Sequence, residues 1–187
     1  MRLTLHYRGP LRAAGGIVHK HQIRQHFHSQ LAALWRQKPL TEYPGFLKQR
    51  EPGRVGDYSL LRPFAGFTFV PLVTEEVNVV AELNLVILRP EAPGGLITQG
   101  GDIDNRLKTL FDALTMPRHP NALPHSATPG EDEDPFFCLL EDDNLVIAFS
   151  VRTEQLLEPL GDPSTVDVSI YVRTRVTRPT MGSPPFA

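Results

Sequence analysis

From Val77 to Leu88 apolar side chains occupy every second position: Val77, Val79, Ala81, Leu83, Leu85 and Ile87. A period of two over that length belongs to a β-strand. The alternate positions mix Asn78 and Glu82 with Val86 and Leu88, so the second face is only partly polar. A long strand of this kind needs neighbours for its backbone and a cover for its apolar face. The rest of the chain must therefore supply further strands and amphipathic helices.

Those partners are legible. Arg2 to Arg8 alternates with Leu3, Leu5 and Tyr7 on one side and ends at Gly9-Pro10. From about Val18 to Arg36 the period becomes helical, with Ile23, Phe27, Leu31, Leu34 and Trp35 on one stripe. Phe67 to Val73 reads as a strand, and a second helix runs from Asp102 to about Thr115 on Ile103, Leu107, Leu110, Phe111 and Leu114. Alternation returns at Leu145 to Val151 and at Val166 to Val172, with Pro159, Gly161 and Pro163 turning an antiparallel hairpin between them. The order β-α-β-β-α-β-β predicts an α/β (α+β) fold in two layers, with helices packed on a mixed sheet.

At 187 residues the chain is expected to form one domain, 1–187. Loop insertions fall near 38–63 and 116–135, and the tail 178–187 is expected to fray. The acidic, Pro-rich segment 116–135 reads as a mobile surface loop. Cys138 is the single cysteine, which excludes an internal disulfide and suits a reducing compartment. The start, MRLTLHYRG, has no apolar signal region, and no apolar run approaches a membrane span. The expected location is the cytoplasm.

The net charge of −2 conceals an asymmetry. Residues 1–62 hold 11 Lys and Arg against 3 Asp and Glu, while the remainder holds 8 against 18. A basic portion attracts polyanions, and an acidic one repels them unless a cation intervenes. On the first helix Lys20, Arg24 and His28 lie four apart and are read as a phosphate-contacting stripe. His19-x-His21 and His26-x-His28 lack the third ligand that a zinc site needs. Tyr171, Arg173 and Arg175 share one strand face; charge protecting an exposed sheet edge explains them, and contact with DNA is the alternative.

The second helix opens on Asp102-Ile103-Asp104-Asn105-Arg106-Leu107-Lys108. Asp104, Lys108 and Asp112 fall four apart on one polar stripe. Helix N-terminal N–H groups favour ionised carboxylates, and these suit a hard cation such as magnesium. A carboxylate from the Glu141-Asp142-Asp143 cluster can complete such a site. Helix capping and an ordinary Asp104–Lys108 ion pair account for the same residues structurally.

Here the chain resembles the RusA family of Holliday junction resolvases. The resemblance rests on Asp102, Asp104, Asn105, Lys108, then Phe111-Asp112-Ala113-Leu114, and on Asp142-Asp143 leading into LVIAFSV. It implies metal ligation by Asp102, Asp104 and Asp143, with Lys108 as an auxiliary catalytic residue. It implies a magnesium-dependent endodeoxyribonuclease (manganese is an alternative ion) that cleaves four-way junctions in recombination and repair. The partners would be branched DNA, contacted also by Asn105 and Arg106, and a second copy in a homodimer. The uncharged Gln99-Gly100-Gly101 and the acidic run 131–134 suit a different reading, a non-catalytic nucleic-acid-binding module derived from this nuclease.

Overall fold

The computed structural model describes residues 1–50, 58–90, 103–158 and 164–179. Among them are seven strands and two α-helices: β1 (Arg2–Pro10), α1 (Ile17–Trp35), β2 (Arg62–Phe64), β3 (Phe67–Val73), β4 (Val79–Arg89), α2 (Ile103–Leu114), β5 (Phe136–Leu140), β6 (Val146–Gln155) and β7 (Thr165–Val176). The strands form two sheets, one in the order β1-β7-β4-β6 and one in the order β2-β3-β5. Both are mixed, with parallel pairs β4–β6 and β3–β5 and the other pairs antiparallel. The two-layer α+β architecture follows the sequence expectation, with two strands more than the periodicity revealed.

The missed strands have simple causes. β5 is FFCLL, five consecutive buried residues with no alternation. A short apolar run bounded by polar segments is how a strand buried on both faces reads, and periodicity alone does not identify it. β2 has three residues and no pattern at all. β4 starts two residues later than expected because Val77 closes a 3-10 turn, which Asn78 ends in the left-handed region at φ 55°. Asparagine adopts that conformation more readily than most residues.

The expected β6–β7 hairpin does not form. β4 lies between the two strands, paired to β7 on one side and to β6 on the other. Val166, Val168, Ile170 and Val172 are essentially inaccessible on β7, whereas Ile147 and Phe149 on β6 are more than half exposed. The strands that bury most side-chain area take the sheet centre, and β6 goes to the edge.

One core fills the space between the large sheet, α1 and α2, and includes Leu5, Phe27, Leu31, Leu83, Leu85, Leu110 and Ile170. A smaller cluster of Phe67, Phe69, Leu123, Phe136 and Cys138 sits behind it. Leu123 belongs to segment 116–135, so that segment is anchored rather than free. Gln25 Nε2 donates to Glu133 at 2.8 Å, and Asp132 O lies 2.8 Å from His28 Nε2. Of the region near 38–63, the described residues 38–50 and 58–63 are likewise anchored, by Leu40, Phe46 and Leu60 in the core. Among the described residues no helix is long and apolar enough to cross a membrane.

Candidate active site

Helix α2 presents Asp104, Lys108 and Asp112 on one side, as a four-residue spacing requires. Its other side turns Thr109, Leu110, Ala113 and Leu114 into the core. Leu107 and Phe111, expected in the buried stripe, are only half-buried. They line a cleft of about 510 Å³ together with Asp104, Lys108, Asp112, Asp143, Asn144, Val146 and Phe149. The Phe111 and Phe149 rings meet edge to face with centroids 5.7 Å apart. The cleft thus has a charged floor and an apolar wall. Asp102 lies outside the described residues.

The acidic run before β6 divides into three separate roles. Glu141 accepts from Arg62 Nε at 2.7 Å and from Glu75 N at 3.1 Å, and also from the Thr74 hydroxyl. It ties the end of β5 to β3 and to the turn that follows. Asp142 is buried, accepts from Asn144 N at 2.8 Å as the cap of a 3-10 turn, and pairs with Arg118. Asp143 is exposed and faces the cleft. Of the two adjacent aspartates, only Asp143 borders the same cleft as Asp104 and Lys108.

Burial on its own raises the Glu141 carboxyl, but the Thr74 and Arg62 bonds outweigh it and hold the pKa below the ordinary glutamate range. A depressed folded-state pKa stabilises the fold above the unfolded value and ceases to do so as pH falls through the folded one. Glu141→Gln should therefore lower the melting temperature at neutral pH, and its difference from wild type should shrink below the usual glutamate pKa. Equal differences at neutral and strongly acid pH would refute this linkage.

The phosphate-contact stripe expected on α1 needs correction. Arg24 is 2% exposed and His28 is 4% exposed. Arg24 Nη2 donates to Asp112 O at 2.8 Å and its Nε to Thr115 O at 3.4 Å, so the guanidinium caps the C-terminal end of α2. Burial pulls its pKa down to about 10, which leaves it charged at neutral pH. His28 Nδ1 accepts from Phe137 N at 2.9 Å, and its other ring nitrogen donates to Asp132 O. That pair of partners assigns the neutral Nε2–H tautomer. The stripe looked solvated because α2, β5 and segment 116–135, which cover it, are remote in sequence. Lys20 stays half-exposed but is paired with Asp112 at 2.6 Å.

Lys20 and Arg24 border a second cleft of about 350 Å³, with Arg118 and His119 opposite and with Asp112 and Asp143 shared between the two clefts. Asn105 is exposed on the first turn of α2 and Arg106 is half-buried. Cys138 is fully enclosed and burial pushes its thiol pKa far up, so it has no nucleophilic role. His21 is buried against Phe67 and Phe136, and burial, then Arg24, lowers its pKa. Among the described residues no group of three His, Cys, Asp or Glu side chains is placed to hold a metal ion. Asp104 and Asp143 are two carboxylates bordering one cleft, and magnesium commonly takes only one or two carboxylates.

Sequence reasoning singled out Asp104, Lys108 and Asp143, which border one cleft, but not the apolar wall of Phe149 and Val146, nor Arg118. Arg118 carries no local pattern, whereas Phe149 was visible only as one more alternating strand residue. Comparison of the chain with protein-family models, with curated proteins and with solved structures returned no match.

Proposed function

We propose that this chain is a magnesium-dependent endodeoxyribonuclease acting on branched DNA, of the RusA resolvase type. The observation that carries this reading is the cleft bordered by Asp104, Lys108 and Asp143, which come from two elements separated by β5. Their neighbours Asp142 and Glu141 are committed to capping and cross-linking, so Asp143 is the carboxylate left for ligation. Asp104 and Asp143 would hold magnesium or manganese, and the resemblance adds Asp102 to the set. The bound ion would supply an acidified water and stabilise the leaving oxygen.

The chain's own residues have definable tasks. Lys108, one turn beyond Asp104, directs an ammonium group at the cleft and balances charge on a phosphate there. Phe149, Phe111 and Val146 give the wall against which a sugar or base packs and water is thinned. The Lys20–Asp112 pair holds α1 beside the site. The outer edge of β6 is unpaired among the described residues and carries exposed Ile147, which supports self-association at that edge. A homodimer would present two clefts to opposite strands of a four-way junction. The enclosed single thiol supports a cytoplasmic setting.

The test compares magnesium-dependent cleavage of a labelled four-way junction with that of a matched linear duplex. Paired nicks in the junction, lost in Asp143→Asn and kept in Asp142→Asn after matching for folded protein, are expected. Cleavage of both substrates would broaden the enzyme to a general nuclease. Binding without cleavage would favour the non-catalytic module.

A further inference from the structure

The large sheet has a second face, turned away from α1, α2 and the cleft. Charge on β7 protecting an exposed edge, the explanation that its sequence suggests, fails in the structure. β7 is internal, paired to β1 and β4 along almost its whole length. Its arginines therefore protect no edge.

The strand registers set this open face out in rows. Thr4, Tyr171, Asn84 and Ser150 lie side by side across all four strands, and Ser150 Oγ donates to Asn84 Oδ1 at 2.7 Å. Two residues along β7, the next row holds Arg2, Arg173, Glu82 and Ala148. On the other side His6, Ser169, Val86 and Arg152 form the third row. Tyr171 is 50% exposed at the centre. Arg173 and Arg175 both reach the single carboxylate of Glu82, at 3.5 and 2.8 Å, with more than half of each side chain still in solvent.

Arg2 stands directly opposite Arg173. Like charges placed so across two strands destabilise a sheet. Around Tyr171 the cations Arg2, Arg173 and Arg175 face one anion, Glu82, while on β6 Arg152 has Glu154 two residues along on the same face, although the chain as a whole is net negative. Further along, Arg8 is neutralised by Asp167 at 2.8 Å, so the excess charge concentrates beside the ring. An exposed aromatic on an open sheet face, flanked by hydrogen-bonding side chains and unbalanced arginines, matches a particular ligand chemistry. Bases with free faces stack on the ring, and their phosphates meet the guanidinium groups. Paired duplex hides those base faces.

We propose that this open sheet face binds single-stranded nucleic acid, with Tyr171 as the stacking platform and Arg2, Arg173 and Arg175 as phosphate contacts. The site is separate from the α2 cleft and stands whether or not that cleft cleaves DNA.

The test is fluorescence anisotropy with labelled oligothymidylate and oligouridylate of about 16 nucleotides, in EDTA so that no divalent ion takes part. Wild type should bind one or both, and the preferred oligomer identifies the sugar. Tyr171→Ala should weaken that binding by about fivefold to 150-fold, while Tyr171→Phe keeps it. Arg2→Gln combined with Arg173→Gln should reduce the slope of log affinity against log salt by about 1.4, at about 0.7 for each phosphate no longer neutralised. Circular dichroism establishes that each variant is folded. No binding by wild type, or Tyr171→Ala binding as wild type does, would overturn the proposal. So would equal binding of a matched duplex, or a change only in oligomeric state.

Discussion

Asp104→Asn is expected to lower magnesium-dependent cleavage of a four-way junction by more than about 100-fold. Loss of a group that merely orients a metal ligand costs roughly 10- to 100-fold in affinity or activity, and loss of a ligand itself should exceed that. Junction binding should stay the same or tighten, because the substitution removes a negative charge from a cleft that must receive phosphate. The helix should survive, since a first-turn carboxylate contributes only about 0.3–1 kcal/mol. These signs separate the metal role from simple capping. Weaker junction binding together with a large fall in melting temperature would mean that Asp104 serves the helix rather than the reaction. Titrating magnesium and manganese against wild type and variant gives the second readout, in which the variant should need more metal.

Arg24→Ala is expected to destabilise the protein by roughly 3–5 kcal/mol. It removes a buried charged donor from Asp112 O and Thr115 O and leaves those carbonyls without replacement. It also empties the volume of a side chain that is 2% exposed, between α1 and the end of α2. In a chain of this length about 1 kcal/mol moves the melting temperature by roughly 2–4 °C, so a drop on the order of 10 °C should be measured. Had Arg24 been a solvated phosphate contact, the same substitution would leave melting unchanged and weaken DNA binding. An unchanged melting temperature would therefore restore the surface role and refute the capping one.

The two substitutions mark how far the primary structure could be read. Asp104, Lys108 and Asp112 were placed correctly on one side of α2, because a helix maps a four-residue spacing onto one stripe regardless of surroundings. The same rule set Lys20, Arg24 and His28 on one stripe of α1, and that geometry also holds. What failed was the inference that a polar stripe faces solvent. Arg24 and His28 are polar and buried because α2 and β5 supply carbonyl and N–H partners for them, and those partners lie about a hundred residues away.

Strand pairing failed for a related reason. The alternation in β6 and β7 identifies strands and faces but not neighbours, since any alternating strand can pair with any other. Short connections make hairpins common, and the turn residues between β6 and β7 suggested one. The strongly apolar β4 took the place between them instead.

Local rules thus determined, from the sequence alone, the helices, the long strands, the apolar faces and the polar stripe opening at Asp104. They depend on backbone periodicity and side-chain polarity, which act within a few residues. The resemblance already favoured Asp143, but only the tertiary structure buries Asp142 beneath Arg118 and sets Asp143 at the Asp104–Lys108 cleft. It alone turned Arg24 into a helix cap and left Arg173 and Arg175 beside Tyr171 on the open face of an internal strand. Each of those outcomes depends on which distant segment satisfies or uncovers a group. That choice is made by the packing of the whole chain and leaves no trace in local spacing.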